Sequence, residues 1–123
     1  MNINNLTIKA QEVLQSAMNL ARSDRNQAVE PLHMLDAIVA EDDSVGVFLL
    51  QKLGVNVGAL RSVLRQQVER LPKVEGGEVY FSRESSEAIQ KAGDFTKTFG
   101  DKYASVEHLL LGILTEQVGG QAS

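Results

Sequence analysis

Apolar residues recur along most of this chain at three- and four-residue spacings, which is the pattern of amphipathic α-helices. Before residue 72, four runs of this period each follow a residue that favours a helix N-terminus. Those residues are Thr7, Pro31, Ser44 and Asn56. The third run stops at Gly54 and the fourth stops before Pro72, and both residue types end helices. The first half of the chain is therefore predicted to form four helices.

The stretch PKVEGGEVYF at residues 72–81 interrupts this pattern. It contains one proline, two adjacent glycines and no helical period, so it is predicted to be a linker. Two further helices are predicted after it. Ser82 caps the first, which ends at Gly100, and Ser105 caps the second, after which the chain runs into VGGQAS.

The helical pattern is duplicated, because residues 6–41 align with residues 81–116 at a constant offset of 75 without a gap. Seven of these 36 positions are identical, whereas chance alone gives about two. The identical pairs include Glu12/Glu87, Ala17/Ala92, His33/His108, Leu35/Leu110 and Ile38/Ile113. The repeat predicts an all-α fold with pseudo-twofold symmetry, and the seam between its halves is a natural place for a binding site.

The duplication also predicts how the chain is organised. At 123 residues it forms one domain, with repeat one at about 5–71, a linker at 72–81 and a partial repeat two at 82–118. The third and fourth helices of the first copy, residues 44–71, have counterparts expected near 119–146. We therefore expect a second repeat that is truncated in this fragment.

Composition narrows the possible partners. The net charge is −4, the lysines and arginines are dispersed, and there is no tryptophan, so nucleic acid is not expected to bind. No stretch has the apolar length of a signal peptide or a membrane span. The chain is predicted to be soluble and cytoplasmic, with no membrane partner.

The sequence offers little chemistry. It lacks cysteine, a G-x-S-x-G elbow and a GxxxxGK[ST] loop, so neither nucleophilic catalysis nor ATP hydrolysis is expected of it. His33 and His108 lie at equivalent positions among leucines, and we interpret them as structural residues. The alternative is a metal-dependent hydrolase that uses His33, His108 and Glu107. Arg61, Arg65 and Glu69 are predicted to lie on the solvated side of the fourth helix, where Arg65 pairs with Glu69.

Four segments resemble a known family, the paired-repeat N-terminal domain of the Clp chaperones, most closely that of the ClpB-type disaggregases. They are LTIKAQ at 6–11, EPLHML at 30–35, LPKVEGGEVYFS at 71–82 and GDKYASVEHLLLGIL at 100–114. The resemblance implies a non-enzymatic module on a homohexameric ATPase that uses ATP and Mg²⁺. It also implies that unfolded or aggregated polypeptides are the partners, with docking of an adaptor protein, as in ClpA or ClpC, as the alternative.

The resemblance implies a site as well. In such domains an apolar groove between the repeats is rimmed by a threonine that opens the first helix and by acids of the second repeat. By motif these residues are Thr7, Asp101 and Glu107. The ClpC branch carries a glutamate before the histidine of both repeats, whereas Leu32 precedes His33 here, which disfavours a symmetric pair of phosphoarginine sites. No cofactor is expected in the fragment, which should be a monomer or a weak dimer.

Overall fold

The computed structural model describes residues 5–42 and 44–122, with side chains as far as Thr115, and places six helices in these ranges. The helices are α1 Ile8–Ser23, α2 Pro31–Ile38, α3 Val45–Lys52, α4 Val57–Glu69, α5 Arg83–Phe99 and α6 Val106–Ala122. Two strands of two residues each, β1 Ala28–Val29 and β2 Tyr80–Phe81, pair in parallel. The predicted all-α class is confirmed.

Most helix starts fall where side-chain chemistry predicted them. The side chains of Thr7, Ser44, Asn56 and Ser82 each accept a hydrogen bond from the backbone N–H three residues further on. Gly100 ends α5 in the left-handed conformation, with φ of 73°. The last helix continues to Ala122, past the point where its apolar period stops.

Two backbone pairings join the copies, and they are the same pairing made twice. The Ser82 N–H donates to the Val29 carbonyl oxygen at 3.1 Å, and the Thr7 N–H donates to the Ala104 carbonyl oxygen at 2.8 Å. Thr7 and Ser82 are separated by 75 residues, as are Val29 and Ala104. Each copy therefore pairs the residues that open its first helix with the loop before the second helix of the other copy. The sequence did not reveal β1 and β2, because two residues are too short to show a period.

One apolar core runs through both copies. It is built from buried side chains of α1, α2, α3, α5 and α6, with Leu64 of α4 also contributing. Helices α5 and α6 are in close contact at Gly112, where an added Cβ would clash with the Ala88 carbonyl oxygen and come within 3.3 Å of the Ala92 nitrogen. Gly112 thus permits backbone contact between the two helices.

Two arginines fasten α4 to the rest of the first copy. Arg61 Nε donates to the Val39 carbonyl oxygen at 2.7 Å. Arg65 Nη2 donates to Asp24 Oδ2 at 3.1 Å and to Asp36 Oδ2 at 2.8 Å, and the bond to Asp24 raises the pKa of Arg65. Arg65 and Glu69 are exposed, as predicted, but the predicted pairing between them was wrong. Long arginine side chains can reach from the margin of a helix face to partners that are distant in sequence.

The segment predicted to be a linker is held against the end of α1. The Val74 N–H donates to the Arg25 carbonyl oxygen at 2.8 Å, and Asn26 Nδ2 donates to the Pro72 carbonyl oxygen at 3.1 Å. These bonds lead the chain into β2, the strand from which the second copy begins.

A buried histidine organises the start of α2. His33 Nδ1 accepts the Glu30 N–H at 2.9 Å, so the proton of the neutral ring lies on Nε2. Nε2 lies 2.9 Å from Asn26 Oδ1 and donates to it. Burial lowers the pKa of His33 despite the nearby carboxylates of Asp24 and Asp36, which act to raise it. A second proton would also remove the acceptor that Glu30 uses, so the neutral ring is the structural form.

The contact at Gly112 predicts opposite effects for two glycine substitutions. Gly112→Ala should destabilise the fold by about 1–3 kcal/mol, because the methyl group overpacks two backbones. Gly93→Ala is the matched control, since an added Cβ there meets nothing within 4 Å. It should stabilise α5 by about 0.5–1 kcal/mol. Urea denaturation measures both, and a neutral Gly112→Ala would contradict the close approach.

The His33 site predicts a loss of stability in mild acid. With the folded-state pKa below the ordinary value of 6.5, the unfolded chain binds the proton first as pH falls. Stability is therefore full above that value and decreases below it, by at most about 1.4 kcal/mol per pH unit. An NMR titration of the His33 ring, compared with the urea-unfolded chain, should give the lower midpoint in the folded state. A folded-state midpoint at or above the unfolded one would contradict this.

Candidate functional site

Thr7, the first residue of the predicted trio, lies at the seam. Its hydroxyl oxygen accepts the Ala10 N–H at 3.2 Å and caps α1, while its own N–H makes the bond to Ala104. The loop that contains Ala104 also carries Asp101, and it leads into the first turn of α6 with Glu107. The seam bond therefore joins the start of α1 to the segment that carries both predicted acids.

Asp101 holds His108 in the way that Asn26 holds His33. Its Oδ2 lies 2.9 Å from His108 Nε2, and His108 Nδ1 accepts the Ser105 N–H at 2.9 Å. Asn26 and Asp101 are separated by the repeat offset of 75. The second copy therefore has the same network with a carboxylate in place of an amide. That carboxylate is about half exposed, at 49% for the Asp101 side chain, so it can also face a ligand.

Glu107 belongs to the same cluster. It is exposed, and its carboxylate contacts the Ser105 hydroxyl group, which in turn lies 2.8 Å from His108 Nδ1. Asp101 thus contacts His108 Nε2 directly, and Glu107 is linked to His108 Nδ1 through the Ser105 hydroxyl group. The result is a patch of negative charge at the N-terminus of α6, where the helix dipole favours carboxylates.

Exposed aromatic rings lie beside these acids. Phe99 is 59% exposed, and its ring centroid lies 6.2 Å from that of His108 and 6.1 Å from that of Phe95. Tyr103, two residues beyond Asp101, is also largely exposed. Neither ring was predicted as a site residue. A signal was available, because the repeat aligns Phe99 with a charged residue, Asp24.

An apolar groove lies between α1 and Phe81. Its volume is about 480 Å³, and its apolar lining comes from Ile8, Leu14 and Met18 of α1 and from Phe81 of the second copy. Glu12 and two glutamines complete the lining, which does not include Thr7, Asp101 or Glu107. Ile8 and Met18 were not predicted as site residues. Ile8 lies outside the core-facing period of α1, which was the available sequence signal, whereas Met18 follows Leu14 by four residues and packs partly against the core.

The alternative of a metal-dependent hydrolase gains no support from the geometry. Both ring nitrogens of His33 and of His108 are engaged in hydrogen bonds, and His33 is buried. Among the described residues, no group of three or more histidine, aspartate or glutamate side chains is placed to hold a metal ion.

The lengths of the described helices bear on whether they could span a membrane. None of them is individually long and apolar enough to cross a bilayer, and only the bent pair of α3 and α4 would qualify on length and composition together.

Solved structures share this architecture. The N-terminal domain of Hsp104 from Candida albicans superposes with a TM-score of 0.83 at 22% identity, covering 93% of this chain and 76% of that one. A ClpV N-domain in complex with a VipB peptide gives a TM-score of 0.80 at 19% identity, covering 92% of this chain and 69% of that one. At these identities the likeness establishes the fold.

Sequence comparison is more specific. The chain is 49% identical over 115 residues to the chaperone protein ClpB of Bacteroides thetaiotaomicron and 45% identical over 115 residues to that of Porphyromonas gingivalis. These matches cover 94% of this chain but 13% of either relative, so the chain spans a small part of their length. The family model of the Clp repeat (R) N-terminal domain matches residues 5–123. The chain therefore belongs to the Clp N-terminal domain family.

Proposed function

We propose that the chain is the client-binding N-terminal module of a ClpB-type, ATP-dependent protein disaggregase, and that it engages unfolded or aggregated polypeptides at the seam between its repeats. The observation that carries this proposal is the groove lined by Ile8, Leu14, Met18 and Phe81, to which both copies contribute. ATP and Mg²⁺ belong to other parts of such a protein, because this chain has no phosphate-binding loop.

The groove suits apolar side chains that a folded protein would bury. Ile8 is 75% exposed in the free domain, so covering it removes apolar surface from water. Burying one such side chain is worth about 1.5–3 kcal/mol, and association costs offset much of the total. Binding near or weaker than about 1 μM is therefore expected. Weak binding suits a module that must release a segment to the rest of the machine.

The acids of the second copy add a preference for charge. Asp101 and Glu107 both lie beside His108, on the segment that the Thr7–Ala104 bond joins to α1, and the chain as a whole carries a net charge of −4. They would favour client segments in which lysine or arginine accompanies apolar residues. In this proposal Thr7 supports the backbone of the site, and Asp101 and Glu107 supply its negative charge.

A second candidate is the docking of one defined adaptor peptide. It is favoured by the ClpV N-domain of the same fold whose structure contains a VipB peptide. An adaptor site would discriminate strongly among sequences, whereas a client site should bind many unfolded segments with similar affinity. Comparing several unrelated unfolded proteins separates the two.

Removing Ile8 from the groove should weaken client binding. Ile8→Ser should raise the Kd for reduced, unfolded casein about tenfold, which corresponds to about 1.4 kcal/mol. Leu53→Ser is the matched control, because Leu53 is similarly exposed, at 72%, and does not line the groove. NMR titration of the wild-type domain should shift the resonances of Ile8, Met18 and Phe81. Equal effects of the two substitutions, or shifts confined to α4, would contradict the proposal.

The charge of Asp101 can be removed without removing its hydrogen bond. Asp101→Asn reproduces the first copy, in which Asn26 Oδ1 accepts from a histidine Nε2 at 2.9 Å. Stability should change by less than about 0.5 kcal/mol. Binding of a lysine-rich unfolded client should weaken severalfold at low salt, and the difference should shrink above about 0.15 M ionic strength, where screening acts within about 8 Å.

Thr7→Ser is the companion variant for Asp101→Asn. Ser82 already fills the equivalent cap in the second copy, so the substitution keeps the cap and should leave binding unchanged. If Asp101→Asn also left the affinity for the lysine-rich client unchanged at low salt, Asp101 would have no part in the site.

A further inference from the structure

The duplication should have produced the apolar groove twice. The groove on the first copy is lined by α1 together with the residue that opens the second copy, and the repeat supplies an equivalent of each. Applying the offset of 75 pairs Ile8 with Arg83, Leu14 with Ile89, Met18 with Gly93 and Leu6 with Phe81. Helices α3 and α4 do not line the first groove, so the comparison uses residues that have equivalents in the described part of the second copy.

The floor of the two positions is alike. Leu14 and Ile89 are both buried, at 4% and 5% exposure, and each belongs to the common core. The reciprocal seam bonds also place the opening residue of each copy against the other copy. Any difference between the two positions therefore arises from the side chains that form their walls.

The walls differ at two residues. Arg83 occupies the place of Ile8, is 86% exposed at its side chain, and its Nε lies 3.0 Å from Glu87 Oε1. Gly93 occupies the place of Met18 and carries no side chain, although an added Cβ would meet nothing within 4 Å. The second position therefore presents a cation where the first presents a branched apolar side chain, and it lacks the opposite wall.

We infer that, of the two equivalent positions in the described structure, the first copy alone forms this client groove, and that Ile8 and Met18 against Arg83 and Gly93 decide this. The inference rests on the proposed function. The occupant is an unfolded segment that presents clustered apolar side chains beside lysine or arginine, because Glu12 lines the groove and attracts such charges. At the second position Arg83 pairs with Glu87, the equivalent of Glu12, and so offsets the charge that would attract the same segment.

One consequence concerns stoichiometry. A chain with two equivalent grooves would bind two short segments, or one long segment at two points with enhanced avidity. A chain with one groove holds a client at one point, and its off-rate is that of a single weak contact. Two substitutions at exposed or open positions should restore the second groove.

The test uses an unstructured peptide of about ten residues with two leucines, one phenylalanine and two lysines, titrated by calorimetry and NMR. The wild-type chain should bind one peptide, with shifts at Ile8, Met18 and Phe81. The double variant Arg83→Ile/Gly93→Met should bind two, with new shifts at Ile89 and with the second Kd within about tenfold of the first. Circular dichroism verifies that each variant retains its helices.

Two controls isolate the apolar walls. Arg83→Gln/Gly93→Ala removes the cation and strengthens α5 but builds no wall, so it should still bind one peptide. Ile8→Arg gives the first groove the arginine that the second copy carries at the equivalent position, and it should abolish detectable binding. A folded double variant that binds one peptide would overturn the inference.

The outcomes for the wild-type chain distinguish the inference from the function on which it rests. Two peptides bound to the unaltered chain would overturn the single site but leave client binding intact. No binding to the unaltered chain at any accessible concentration would overturn the proposed function itself.

Discussion

The reciprocal backbone pairing of the two copies is the constraint on which the rest of the molecule depends. Thr7 donates to Ala104, and Ser82 donates to Val29, across the seam. Neither copy alone provides hydrogen-bond partners for these backbone groups, because each bond runs from one copy to a loop of the other. The apolar core that spans both copies, the groove beside Phe81 and the cluster around His108 all lie next to these bonds. Such mutual pairing makes the two copies one folding unit.

In each copy, a histidine close to the seam bonds organises the start of the second helix. His33 and His108 each accept a backbone N–H at 2.9 Å and bond through the other nitrogen to a residue seven positions earlier. An imidazole ring has a nitrogen for each of these bonds, which explains why histidine occupies the buried place in both copies. Asn26 and Asp101 are interchangeable as acceptors. The second copy could therefore gain an acidic surface without altering its frame.

The sequence predicted the parts of the fold that depend on local chemistry. Hydroxyl and amide caps at Thr7, Ser44 and Asn56 act within three residues, so their effect is visible in the sequence. The pairing of Arg65 with Asp24 and Asp36 spans 41 and 29 residues, and helical period contains no information about it. Strands β1 and β2 were not predicted for a related reason, because they form by pairing across the seam and not through a pattern in their own residues.

The candidate site likewise has a part that the sequence predicted and a part that it did not. Asp101 and Glu107 followed from a resemblance in sequence motifs, and the structure places both beside His108. The resemblance implied an apolar groove between the repeats, but the residues that line it were not predicted, because Phe81 is brought against Ile8 and Met18 from the other copy. A site formed between two copies is visible in neither copy alone. The sequence did show the positions at which the two copies carry residues of different chemical character.

Those differing positions show how a duplicated frame acquires distinct surfaces. In the first copy Asp24 and Asp36 grip Arg65 of α4, whereas the offset of 75 places Phe99 and Leu111 at the same points of the second copy. The shared seam bonds and histidines hold both backbones in the same arrangement, so these substitutions change the surface chemistry and leave the frame intact. In the first copy the acid pair is occupied by the guanidinium group of Arg65, whereas the second copy exposes Phe99 and Leu111 at the equivalent points, at 59% and 38%. The two halves therefore present different surface chemistry, although they are built on one plan.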